Sequence, residues 1–104
     1  MKTMTAGDYR QIPFSITRSG GLTGATIRMR IWNDKHAVSI TKTTASFSVQ
    51  TDVLMVGYFE LLAANTTGWP DLPINCWVEI ELGLASGPET VVRSELRVLP
   101  NGLV

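Results

Sequence analysis

Apolar and polar residues alternate with period two along most of this chain, the pattern of strands with one wet and one buried face. The first run is Asp8 to Arg18, with Ile12, Phe14 and Ile16 on one face and Gln11, Ser15 and Thr17 on the other. Pro13 lies inside this run and cannot donate to a ladder, which predicts an edge strand or a bulge. Ser19-Gly20-Gly21 marks a turn. The strongest run extends from Leu22 to Trp32. Ala25, Ile27, Met29 and Ile31 face inward there, and Thr26, Arg28, Arg30 and Trp32 outward.

Asn33-Asp34-Lys35 supplies the next turn, and two weaker strands carry Val38 with Ile40 and Phe47 with Val49. Val53 to Leu62 reads as an apolar strand broken by Gly57, with Phe59 and Leu61 in and Tyr58 and Glu60 out. Ala63-Ala64-Asn65-Thr66-Thr67 is the one helical turn expected, near residues 62–67. After the proline-bearing loop Trp69-Pro70-Asp71-Leu72-Pro73 comes a strand from Cys76 to Leu82. Cys76, Val78, Ile80 and Leu82 point in, while Trp77, Glu79 and Glu81 point out. Gly83 to Pro88 turns the chain into a last strand, Glu89 to Leu99, with Val92, Leu96 and Val98 inward. About seven strands spaced by turn signals predict an all-β, antiparallel β-sandwich. The whole of 1–104 is expected as a single domain, with 1–6 and 100–104 as short terminal arms.

Composition narrows the function classes. Nine basic and nine acidic residues cancel, which gives no basic surplus for nucleic acid. No apolar run approaches the ~20 residues of a membrane span, and no signal-peptide stretch opens the chain, which predicts synthesis in the cytoplasm. A single cysteine, Cys76, and a single histidine, His36, predict no intrachain disulfide, no cysteine zinc cluster and no multi-histidine metal site, and with no phosphate-loop or dinucleotide fingerprint no cofactor is expected.

Several segments together resemble a known family. Gly7-Asp8-Tyr9, an alternating strand, and then Gly21-Leu22-Thr23-Gly24-Ala25-Thr26-Ile27 resemble the "GD … LTGATV" opening of Ig-like domains in tailed-bacteriophage virion proteins. The N-terminal domain of baseplate upper proteins is the best-known of these. Gly57-Tyr58-Phe59-Glu60-Leu61 followed by Asn65-Thr66-Thr67 is similar to the family's "G-x-φ-x-L … T". The segment Asn75 to Leu82 is similar to its "G-x-Y" strand, with Asn75-Cys76 departing from the glycine and tyrosine. Gly87 to Pro100 resembles the closing "G … L-x-V-x-P". The resemblance implies an Ig-like sandwich located in a virion and working as a scaffold, with no catalytic residues. It implies a tail, baseplate or fibre-attachment component. The alternatives are a capsid decoration (cement) protein and a stand-alone carbohydrate-binding module using Trp69 or Trp77. The partners expected are other virion proteins or further copies of the chain, and for the last alternative a glycan.

The candidate chemistry is sparse. His36 beside Asp34 has no nucleophile near it and reads as a turn histidine. Asp8, after a glycine at a strand start, reads as a backbone cap. Asn65-Thr66-Thr67 fits the glycosylation pattern, a tripeptide common by chance. Glu79 and Glu81 lie two apart on one strand face, where a glycosidase would need carboxyl groups across a cleft. They are expected to pair with Arg93 and Arg97. Trp32, Tyr58 and Trp77 fall on the outward phase of their strands and are the predicted partner-binding residues.

Overall fold

The inward phases of the alternating runs find each other across two sheets. The structure, a computed structural model, describes residues 2–101. Eight strands occur in it: β1 (Lys2–Thr5), β2 (Arg10–Thr17), β3 (Thr26–Asn33), β4 (Val38–Lys42), β5 (Ser46–Gln50), β6 (Leu54–Leu61), β7 (Ile74–Leu84) and β8 (Gly87–Leu99). One short helix, α1 (Ala63–Thr66), lies between β6 and β7. A five-stranded sheet ordered β1-β8-β7-β3-β4 faces a three-stranded sheet ordered β2-β6-β5. Leaving β1 aside, β4-β3-β7-β8 and β2-β6-β5 match the C′CFG and BED orders of immunoglobulin-like sandwiches.

The core is the meeting of these inward phases. Met29, Ile31, Met55, Phe59, Leu61, Leu82 and Val98 are fully buried. Phe14 lies against Phe59 at 5.4 Å and edge-on to Phe47 at 5.8 Å, within the range of favourable aromatic pairs. Pro13 does sit on an edge strand, since β2 pairs only with β6. Gly57 does not break β6. It continues the ladder opposite both Phe14 and Phe47, and a Cβ built there would overlap the Ser46 carbonyl oxygen.

Three expectations change. The N-terminal arm is a strand over Lys2–Thr5, running parallel to β8, and it buries Met4. Four residues with one apolar position carry too little pattern to be read from sequence. The sandwich is therefore not purely antiparallel. Of the C-terminal arm, Pro100 and Asn101 lie beyond β8, and 102–104 lie outside the described residues.

The run from Leu22 becomes a strand only at Thr26. Leu22 is instead a buried plug in a loop with left-handed Gly21 and Gly24. That loop is held by Asp52, whose Oδ1 accepts the Gly21 and Thr23 amides at 3.1 and 3.0 Å while its carbonyl accepts Leu22 N–H. Those donors, the Thr23 amide first, hold the Asp52 carboxyl below the usual aspartate range.

The third change concerns the last hairpin, which turns more tightly than Gly83 to Pro88. Leu84 already pairs with Gly87, and a bulge between Ile80 and Glu81 leaves Val91 without a partner. β8 is thirteen residues long, ~43 Å at strand rise, and this hairpin accounts for the long axis of a molecule measuring 48 × 26 × 21 Å.

Gly57→Ala should destabilise the fold by about 1–3 kcal/mol in urea unfolding, because β5 and Phe14 have to move apart. An unchanged midpoint would contradict the close approach. Asp52→Ala should lower thermal stability at neutral pH. A carboxyl with a depressed folded value stabilises above its ordinary value near 3.8, and that contribution is lost as pH falls through the folded value. The gap between wild type and variant should therefore close in acid, and a gap independent of pH would refute the charge-assisted role.

Candidate interaction surface

The side chains left outside the core by β3, β7 and β8 form the outer face of the five-stranded sheet. Registration arranges them in rows. Arg28, Glu81 and Thr90 make one row, Thr41, Arg30, Glu79 and Arg93 the next, and Ser39, Trp32, Trp77 and Glu95 the third. Trp32 and Trp77 are thus direct cross-strand partners. Trp77 is among the most exposed large apolar residues, at 41%, whereas Trp32 is half-buried.

Each indole is clasped by a guanidinium from the neighbouring row. Arg30 lies 4.7 Å from the Trp32 ring centroid and Arg93 4.8 Å from that of Trp77. Arg93 also reaches Glu79 at 3.8 Å, and Arg28 reaches Glu81 at 2.7 Å. Glu79 and Arg93 are register partners, as a hairpin with Leu82 paired near Thr90 would place them. At the hairpin end that register is displaced by one residue, with Leu82 opposite Glu89, and the bulge at Val91 restores it. The expected use of Arg97 is corrected: it stands opposite Asn75, and Arg28 serves Glu81 instead. Both carboxylates lie side by side on one strand, each engaged by a guanidinium.

The structure separates the third aromatic from the other two. Tyr58 is on β6, on the outer face of the opposite sheet, between Pro13 and Ser46. Tyr9, at the start of that sheet, donates to Glu60 at 3.0 Å. Trp69 packs partly against the core rather than standing free. His36 pairs with Asp71 of the proline loop at 3.4 Å, not with Asp34. The amide of Asp8 donates to Thr5 O, closing the corner between β1 and β2. Asn65 turns its Oδ1 to the Leu62 amide at 2.7 Å and starts α1, while buried Thr66 accepts the Gly7 amide at 2.8 Å. Cys76 is a buried free thiol, and burial pushes its pKa up to about 11.

The arginine clasps were missed in the sequence. Arg30 and Trp32 stand two apart on one strand face, a spacing that signals the first; the second needs the β7–β8 register.

No protein-family model matches the chain, and no curated protein matches it in sequence. The likeness to phage virion domains therefore rests on the short motifs alone. The chemistry of the face stands apart from it: a cross-strand tryptophan pair framed by Arg28, Arg30, Arg93 and Arg97 against Glu79, Glu81 and Glu95. A double-mutant cycle on Trp77→Ala and Arg93→Ala should give a coupling of about 0.5–1 kcal/mol in unfolding free energy. Additive losses would show that ring and guanidinium do not hold each other.

Proposed function

We propose that this chain is a non-enzymatic structural protein of a tailed-phage virion, present in many copies. In this reading it binds other virion proteins through the outer face of its five-stranded sheet. A tail, baseplate or fibre-attachment position is the first choice, and capsid decoration the alternative. The observation that carries the reading is the registered Trp32–Trp77 pair on a face the core does not need. Each ring is held in place by a guanidinium, so little side-chain freedom is lost on docking. Tryptophan and arginine are the residue types that dominate interface energetics. The motif likeness supplies the virion context. The carbohydrate-module reading is the weaker one, since Arg30 and Arg93 already occupy one face of each ring.

Trp32→Ala and Trp77→Ala should fold, and incorporation into particles should drop by tenfold or more, as loss of an anchor worth about 2 kcal/mol requires. Wild-type incorporation of two folded variants defeats the proposal. Unfolding of both would assign the rings to the domain's own packing. Recovery with isolated capsids rather than tails selects decoration. Glycan binding by the isolated protein that is lost in Trp77→Ala selects the carbohydrate module.

A further inference from the structure

The two sheets differ in width, and the difference leaves an unfilled slot along one side of the sandwich. β1 pairs with β8 only from Leu96 to Leu99. Among the described residues, no strand lies along the outer edge of β8 from Gly87 to Glu95. Across from this stretch runs β2, the edge strand of the other sheet. Arg18, at the end of β2, is ion-paired with Glu89, and Arg10, at its start, donates to Thr3 O at 2.8 Å. β2 is therefore tied to β8 at the hairpin end of the slot and to β1 at the other.

Between the ties lies a shallow cleft of about 70 Å³. Val78 and Ile80 form its floor, and half-buried Ile12 and Val92 its walls. On the inward phase of β8, opposite buried Val78, stands Ser94, small and exposed, so nothing from β8 fills the groove there. Unpaired strand edges beside apolar surface are ordinarily covered or blunted by charge, proline or a bulge. Pro88 and the Val91 bulge blunt only the hairpin end of this edge. From Val92 to Glu95 its pairing with β7 is regular, and its charges, Arg93 and Glu95, belong to the outer face.

We infer that this slot is a strand acceptor, and that its occupant is an extended segment of another protein running in line with β1. Continuity with the existing ladder argues for this. The next stretch of the same edge is already filled in that way: β1 lies parallel to β8 and drops Met4 between the sheets, 4% exposed. A segment continuing this line toward Glu89 makes main-chain bonds to β8 and places every second side chain over Ile12, Val78 and Val92. Charge fixes its chemistry further. Lys2, Arg10 and Glu95 line the end of the groove next to β1, which leaves one net positive charge there, and neither cation is ion-paired among the described residues. The occupant is therefore apolar at alternate positions and acidic where it abuts β1. This inference is independent of the outer-face reading, and each can fail alone.

The probe is the synthetic peptide acetyl-Thr-Val-Thr-Val-Thr-Glu-amide, titrated into isotope-labelled protein and followed by amide shifts and hydrogen exchange. Saturable binding with a Kd below about 1 mM is expected, with slowed exchange at β8 amides between Gly87 and Glu95. Replacing the terminal Glu of the peptide by Lys should weaken binding on the order of threefold. Ser94→Arg fills the groove from an exposed position without touching the core, and should abolish binding while leaving the melting temperature unchanged. No binding, binding that survives Ser94→Arg, or shifts confined to the other edge strands β4 and β5 would overturn the inference. Concentration-dependent shifts at residues 87–95 in the protein alone would identify the occupant as a second copy and overturn the partner assigned here.

Discussion

Everything else in this molecule depends on burying one face of β7. Ile74, Cys76, Val78, Ile80 and Leu82 are all nearly inaccessible, and each occupies the same phase of a strand flanked by β3 and β8. Because the side-chain period of a strand is two, fixing that face inward fixes Trp77, Glu79 and Glu81 outward. A slip of one residue would bury two carboxylates and expose the core. The register of β3 and β8 against β7 is locked by the same condition, and with it the rows of the outer face.

The one departure from regular pairing has consequences on both faces. The bulge between Ile80 and Glu81 lets Glu89 meet Leu82 while Arg93 still meets Glu79. On the outside it brings Arg93 to the Trp77 ring. At the bulge both Val91 and Val92 are half-buried, which alternation alone does not permit. An extra residue in one strand re-aims the side chains beyond it. Here that sets both the guanidinium of the outer face and a wall of the groove.

A narrow sheet over a wide one explains why polar and apolar exposure fall where they do. Three strands cannot cover five, so β2 reaches across to the wide sheet at its two ends, to β8 through Arg18–Glu89 and to β1 through Arg10–Thr3. The outer face of the wide sheet is instead rich in charge, and its charges neutralise one another in cross-strand pairs that contribute little stability singly. One of these pairs, Arg93–Glu79, also sets its guanidinium against the Trp77 ring. The outer face is thus rich in charge and aromatic rings, and the groove has an apolar floor between charged ends.

Much of this was legible in the chain because alternation is a local signal. Ile12, Phe14 and Ile16, or Cys76, Val78 and Ile80, announce their buried face without reference to any other strand, as do the outward phases of Trp32, Tyr58 and Trp77. Seven of the eight strands and the helical turn came from that local reading, while the Glu79–Arg93 pairing came from an assumed hairpin register that holds only because the Val91 bulge restores it. Features that depend on contacts distant in sequence did not. β1 exists because β8 offers it an edge, not because Lys2-Thr3-Met4-Thr5 has a strong pattern. Leu22 leaves its strand because Asp52, thirty residues on, captures the glycine loop around it. Trp32 meets Trp77 while Tyr58 goes to the far face because strand order, invisible to periodicity, puts β3 beside β7 and β6 in the other sheet. Sequence determined which side of each strand meets the core, since that choice is made residue by residue through burial. Tertiary structure decided which strands are neighbours, and so which outward residues share a surface.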